Sequence, residues 1–590
     1  MTFRAPVADI AFALKHAAGL GPAIAEGIYG DLTEDVVDAV LAEAGRFATE
    51  VLAPLNRAGD QVGAKFKDGA VTTPPGWRDA YRSWAAGGWN ALAAPEEWGG
   101  QNLPHALNAA CIELWNSANM AFGIGPVLTM GAIDAFAAHG SDELKRIYMP
   151  KLVSGEWMGT MQMTEPQAGS DVGALRTKAE RAPDGTYRIT GQKIFITYGE
   201  HDLTDNIVHF ILARLPDAPA GTRGISLFLV PKFLLKPDGT PGERNDARAH
   251  SIEHKLGIHG SPTCTMVYGD HGGATGYLVG EEHRGMACMF TMMNRARLSV
   301  GLQGVGIAER ATQQALAYAR ERRQGRVHHS QTVSGPIIDF PDVKRMLLTM
   351  RGLTRAARAI CYATGVAIDR SHRDTNDTTR TAASERAALL TPIAKAFSTD
   401  VGCEVASLGI QVHGGMGFIE ESGAAQHYRD ARIAAIYEGT NGIQAIDLVT
   451  RKLPLSGGAA VESYVDELKR TVATVKAAND PHFGTTAACL TDAIASLERA
   501  TAFLMSPAAK GNAALAGATP YLRLFATAAG GAYLAEEALA AGRHAEDGSA
   551  PARVALARYF AENIAVQALG LERGVIAGAE SINGSAAALA

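Results

Sequence analysis

The chain has 590 residues, 47% of them hydrophobic and 20% charged, with a net charge of −6. That length is too great for one hydrophobic core, and the composition excludes a disordered chain. The slight acid excess gives no general attraction to nucleic acid or anionic lipid. The six cysteines (111, 264, 288, 361, 403 and 489) are too scattered for a metal knuckle or a redox pair, and suit a reducing compartment. The N-terminal MTFRAPVADIAFALKHAAGL is broken by Asp9 and Lys15, unlike a signal peptide. No run is read as reaching the roughly 18 apolar residues of a membrane span. A cytoplasmic protein is expected, with neither a membrane nor a nucleic acid as partner.

Residues 1–34 read as a short helical arm with Phe12 and Leu14 on its apolar stripe. From 35 to 158 the pattern is that of an α-helical domain. Asp31 and Thr33 are cap candidates, followed by acids in the first turn and an amphipathic run. The loop Pro95-Glu96-Glu97-Trp98-Gly99-Gly100 interrupts it. From 159 to 280 the period changes: TYRITGQKIFITYG, NIVHFILARL and ISLFLVPK alternate or form β-branched runs, which marks a β domain. Within it, His250 and His254 have the spacing of a helical metal pair, but Gly257 and Gly260 oppose a helix, so no metal is expected. From 281 to 455 helices return, and the methionines at their start read as core. Residues 456–590 follow the linker Leu455-Ser456-Gly457-Gly458 as an extra, Ala-rich helical domain. Breaks are expected at Pro507, Gly511, Pro520 and around Gly548. This domain carries 10 Lys/Arg against 13 Asp/Glu, so it offers no basic surface, and it is expected to pack on the core or across a dimer interface.

One carboxylate stands out. In IYEGTNGIQAIDLVTRKL, Glu438 lies between Tyr437 and the turn Gly439-Thr440-Asn441-Gly442. Ile443, Ile446, Val449 and Leu453 then recur at helical spacing, with Thr440 and Asn441 as cap candidates. A Glu held on a packed loop beside an apolar wall gains proton affinity and can serve as a base near neutral pH.

This YEGT segment resembles that of the acyl-CoA dehydrogenase family, in which the Glu removes the α-proton of an acyl-CoA thioester. Other stretches are similar to the same family: TEPQAGSD at 164–171, GQKIFIT at 191–197, QVHGGMG at 411–417 and RDAR at 429–432. The resemblance implies a mainly α fold with a central β domain. In order, it has a helical N-terminal domain, a β-barrel-like middle domain and a C-terminal four-helix bundle, here with an extra helical domain. It implies FAD as cofactor. Glu438 becomes the catalytic base. Thr164, Ser170, Phe195, Thr197, Arg322, Gln411, Gly415 and Thr440 become cofactor-binding, with Thr197 meeting flavin N5 and Phe195 standing where Trp is usual. Ser170, Arg297, Tyr437 and Gly439 become substrate-binding. It also implies an electron-transferring flavoprotein as electron acceptor, and a homodimer or a dimer of dimers. The long form resembles a bacterial branch acting on 3-(methylthio)propanoyl-CoA from dimethylsulfoniopropionate breakdown. A short or medium fatty acyl-CoA is the alternative substrate, since a methylene-sized difference is worth only about 1–3 kcal/mol. Two alternatives of other kinds are a DNA-binding flavoprotein of the same fold, which the acidic C-terminal domain disfavours, and an oxidase that hands its electrons to oxygen.

Overall fold

A computed structural model describes residues 3–325, 334–544 and 548–590. It divides into two compact units, residues 1–46, 105–117 and 297–590, and residues 47–104 and 118–296.

The second unit is built on an eight-stranded sheet. Its order is Ala247–Ile252, Thr263–Tyr268, Tyr187–Thr197, Ala274–Val279, Ile225–Pro231, Ile207–Arg214 and Met158–Gln162, with Lys178–Arg181 paired off this path. Neighbours are antiparallel except that Ile207–Arg214 runs parallel to Met158–Gln162 and Lys178–Arg181. Side chains of a strand alternate between its two faces. Val208, Phe210 and Leu212 accordingly join one apolar cluster, while Ile211 and Ala213 join another. Both faces are covered, which is why these strands read as continuous apolar runs. Met289, Met292 and Met293 are core, as the methionine stripe predicts.

Two sequence expectations need correction in this part of the chain. The stretch read as wholly helical contains a two-stranded hairpin, Lys65–Lys67 with Ala70–Thr72. Its turn is Asp68-Gly69, both at positive φ (50° and 80°), a hairpin signal outweighed by the helical pattern around it. The helix His105–His139 is long and apolar enough to cross a membrane, contrary to the expectation that no segment would be; 89% of its most apolar window is buried inside the protein. Asn119 leaves helical geometry within it (φ −159°, ψ 91°), and its side-chain oxygen accepts from the Phe122 amide, recapping the helix after the kink.

The first unit is helical. Pro341–Arg373 and Asp377–His413 pack side by side, and Asn512–His544 of the C-terminal extension lies against both. Small residues permit that approach: a Cβ on Gly530 would stand 2.7 Å from the Cβ of Ala356. The extension therefore packs on the core helices. It breaks at Pro507, Gly511 and Gly548, but Pro520 sits inside an unbroken helix and does not end it. The N-terminal arm, Val7–Phe12 and Leu20–Ala25 with a π-turn between, is pinned by charge. Asp9 accepts from Arg355 (2.6 Å) and Arg553 (2.9 Å), and both arginines also bond the buried Glu537. Arm, bundle and extension thus share one ion network, in which removing a single partner would strand buried charge.

Candidate functional site

The loop carrying Glu438 follows the short helix Ala424–Ala431 and a 3-10 turn, and ends where Asn441–Asp447 begins. Thr440 caps that helix, its hydroxyl accepting from the Ile443 amide at 3.3 Å. Asn441 works differently. Its side chain crosses to Asp377–His413, donating to the Ala396 carbonyl (3.1 Å) and to Asp400 (2.7 Å) and accepting from Lys395 Nζ at 2.9 Å. The Gln444 amide donates back to the carbonyls of Glu438 (3.2 Å) and Gly439 (3.3 Å). Tyr437 donates to Gln303 on Gly285–Glu321. The loop is held from three helices.

That framework keeps Glu438 at φ +55°, a left-handed conformation that a side chain other than glycine's resists. Gly439 follows at φ +85°, which favours glycine, and a Cβ there would stand 2.6 Å from the Gln444 side-chain nitrogen and push it from its place against the loop. Glu438 is half-buried, but its Oε2 is closed to solvent and has no hydrogen-bond partner among the described residues. Burial pushes the carboxyl up to about 7, against the opposing pull of Arg297 and Lys395. Arg297 is buried, its Nη1 3.6 Å from Asp447 Oδ2 and its Nε also without a partner among the described residues. It is therefore an interior charge beside the Glu438 loop, and no solvent-facing salt bridge. A carboxylate so placed can take a proton near neutral pH.

The second unit holds another group of the expected residues. The turn at Pro166-Gln167 is closed by paired backbone bonds between Glu165 and Ala168, both 3.0 Å. The Glu165 carboxylate is buried and fully engaged. It accepts from Lys193 Nζ (2.8 Å), from the Thr177 amide (3.0 Å) and hydroxyl (2.6 Å), from the Arg176 amide (2.6 Å) and from Gln167 (2.7 Å). Burial alone would raise it, but Lys193 and these donors prevail and hold it at about 2. Lys193 lies on the strand Tyr187–Thr197, and the Ile194 amide donates to the Thr164 carbonyl at 2.9 Å, so turn and strand are one rigid piece. The register against Thr263–Tyr268 slips between Cys264 and Met266, a bulge opposite Ile194 and Phe195. Phe195 sits there at φ +60° and is 59% exposed. Read as a plain strand residue it belongs in the core; the bulge turns it out. Thr164 and Thr197 are half-buried, and Ser170 is exposed.

Four family descriptions match in sequence. They are the acyl-CoA dehydrogenase N-terminal domain at residues 35–156, the middle domain at 160–271, the C-terminal domain at 283–453, and the acetyl-CoA dehydrogenase C-terminal-like domain at 464–584. The chain is 46% identical to 3-methylmercaptopropionyl-CoA dehydrogenase of Ruegeria pomeroyi over 96% of this chain and 97% of that one. The chain belongs to the acyl-CoA dehydrogenase family. It is an oxidoreductase with acyl-CoA dehydrogenase activity. It is also 37% identical to a butyryl-CoA dehydrogenase of Syntrophomonas wolfei, covering 82% of this chain and 81% of the other. Its fold matches an acyl-CoA dehydrogenase complexed with FAD from Bacillus anthracis with a TM-score of 0.74 at 21% identity, over 94% of this chain and 90% of that one.

In this acyl-CoA dehydrogenase the first unit brings together Glu438, Tyr437, Gly439, Thr440 and Arg297, and the second Thr164, Ser170, Phe195 and Thr197. Arg322, Gln411 and Gly415 are exposed in the first unit. Tyr318 stacks on His413 at 4.4 Å, which sets the end of the Arg322 helix beside the Gly414–Phe418 turn. Where the family resemblance expects an aromatic after Arg322, Gln324 and Gly325 stand instead, and both are exposed. Sequence reading missed Glu165, Gln303, Lys395 and Gln444. Only Lys395 carried a signal, a lone cation in the apolar run Ile393-Ala394-Lys395-Ala396-Phe397.

Proposed function

We propose that this enzyme is an FAD-dependent dehydrogenase that converts a short acyl-CoA, 3-(methylthio)propanoyl-CoA, to its trans-2-enoyl thioester, with Glu438 as the base. The observation that carries this reading is the buried, unpartnered Oε2 of Glu438, on a strained loop and with a proton affinity near neutrality. In its carboxylate form it takes the α-proton, and Tyr437 and the loop keep bulk water from the exchange.

The strand unit has features that suit a flavin. Phe195 offers an exposed ring, Thr164 and Thr197 offer hydroxyls, and nothing stands within 4 Å of a Cβ built on Gly169, so the turn is open to a close ligand. Thr164, Thr197 and Phe195 would hold the ring system and Ser170 a more distant part, with Thr440 a further cofactor contact; Arg322, Gln411 and Gly415 would reach the diphosphate across a subunit interface. An arginine fork suits a diphosphate. When bound, FAD would accept the β-hydride. Ser170, Arg297, Tyr437 and Gly439 would face the thioester. An electron-transferring flavoprotein would reoxidise the enzyme, which would work as a homodimer in the cytoplasm.

The Ruegeria pomeroyi relative supports the sulfur-containing substrate, and the Syntrophomonas wolfei relative keeps butyryl-CoA as the second reading. Anaerobic mixing of the yellow protein with a panel of short acyl-CoAs separates them. Fastest bleaching is expected with 3-(methylthio)propanoyl-CoA; butyryl-CoA reducing the flavin as fast or faster would overturn the substrate assignment.

A further inference from the structure

A second buried ionisable group serves the loop of the base. Lys395 is fully buried within Asp377–His413, among Ile393, Ala394, Ala396 and Phe397, which are also buried. An ammonium is not left in such a place without a counter-charge or several acceptors. Among the described residues, the side-chain acceptor for Nζ is Asn441 Oδ1 at 2.9 Å, three residues beyond Glu438. The same Asn441 is fastened by its amide to Ala396 and Asp400, so the lysine and the loop are locked to one turn of helix. On the other side, Glu438 Oε2 is buried without a partner among the described residues.

We propose that Lys395 is a positioning residue for the base: its buried ammonium, tied to Asn441, anchors the Glu438 loop and supplies the charge that keeps Glu438 available as a carboxylate. The inference rests on Glu438 being the base. The electrostatics agree. Burial lowers Lys395 to about 7, with Glu438 and Asp400 pulling it back up and Arg297 pushing it down. The other charged or titratable groups around Glu438 are Arg297 on Gly285–Glu321, itself paired with Asp447; Asp400 on the lysine's own helix; Tyr437 beside it in the loop; and Arg451 beyond Asp447. Arg297 shares its charge with Asp447, whereas the side-chain hydrogen-bond partner of Lys395 among the described residues is a neutral amide, so its cation is the less committed of the two.

The sign follows. Removing a cation disfavours the carboxylate, so Glu438 should hold its proton to higher pH. In Lys395→Met holoenzyme the acid limb of kcat/KM should move up by about one pH unit, which is about tenfold in rate at pH 6 and within about twofold at pH 9. Lys395→Gln, which keeps a polar head for Asn441 but no charge, should show the same shift. This second variant carries the test if the first is insoluble. An independent reading needs no turnover. The infrared band of the protonated Glu438 carboxyl, isolated as wild type minus Glu438→Gln, should disappear about one pH unit later in Lys395→Gln. A uniform rate loss at every pH, with the infrared titration unmoved, would reduce Lys395 to a packing residue and overturn the proposal. Full activity of Glu438→Gln would instead sink the function reading, and the infrared titration would still report on the lysine.

Discussion

Glu165 and Glu438 are both glutamates withdrawn from water, and the protein treats them in opposite ways. Glu165 receives five hydrogen bonds, one of them from the buried Lys193, and stays ionised down to about 2. Glu438 has an oxygen with no partner among the described residues and is lifted to about 7. Burial acts on both in the same direction, so the difference lies in what the neighbours donate. Lys193 touches its carboxylate; Lys395 is held at one remove by Asn441. A satisfied buried charge makes a rigid strut, here between the turn at 164–171 and the strand at 187–197. An unsatisfied one is reactive, and the fold bears its cost.

The largest effect expected from this contrast is on turnover. Glu438→Gln keeps the shape and removes the proposed base, so kcat/KM should fall by about 10²–10⁴ with cofactor content unchanged, measured by stopped-flow flavin reduction. Glu165→Gln should leave Glu438 untouched but strand Lys193 without a counter-charge, costing about 3–5 kcal/mol in denaturant unfolding and lowering flavin content. Flavin retention at wild-type stability in that variant would show that the strut is dispensable.

Stability should also separate the two glutamates by pH. Glu165 is depressed, so its contribution is present above its ordinary value of 4.5 and is lost as pH falls through about 2. Glu438 is raised, so its burial costs nothing below 4.5, and the cost is complete above about 7. Glu438→Gln should therefore stabilise the protein by about 1–3 kcal/mol at pH 8.5 and by little at pH 4.5. Equal melting temperatures at both pH values would place the carboxyl in solvent.

The sequence made the helical and β regions legible because each kept its own period over long stretches, and it made Glu438 legible through the turn and helix around it. What it hid depends on tertiary packing. Lys395 stands out as a lone cation in an apolar run, but its tie to the Glu438 loop appears only when Asn441 is brought against it. Phe195 alternates like a core strand residue, and only the bulge sends it outward. Pro520 reads as a breaker, yet the helix carries it. The Asp68-Gly69 hairpin was signalled by its dipeptide and lost in a helical background.

The smallest effect concerns how each carboxylate's loop is held. The turn after Glu165 closes through backbone bonds that survive most substitutions. Among the described residues the loop of Glu438 shows no paired backbone closure of that kind. Backbone bonds flank it, from the Tyr437 amide to the Ile433 carbonyl (3.2 Å) and from the Gln444 amide to the Thr440 carbonyl (3.0 Å). Side chains hold the rest: Thr440 as cap, Asn441 across to the neighbouring helix and Gln444 back to two carbonyls. Thr440→Ala removes the cap and should cost about 1 kcal/mol, with Thr440→Ser restoring most of it. The strained φ of Glu438 persists only while these anchors outweigh it, so the alanine variant should also lose some turnover. A Thr440→Ala protein that melts and turns over like the wild type would mean that Asn441 and Gln444 hold the loop by themselves.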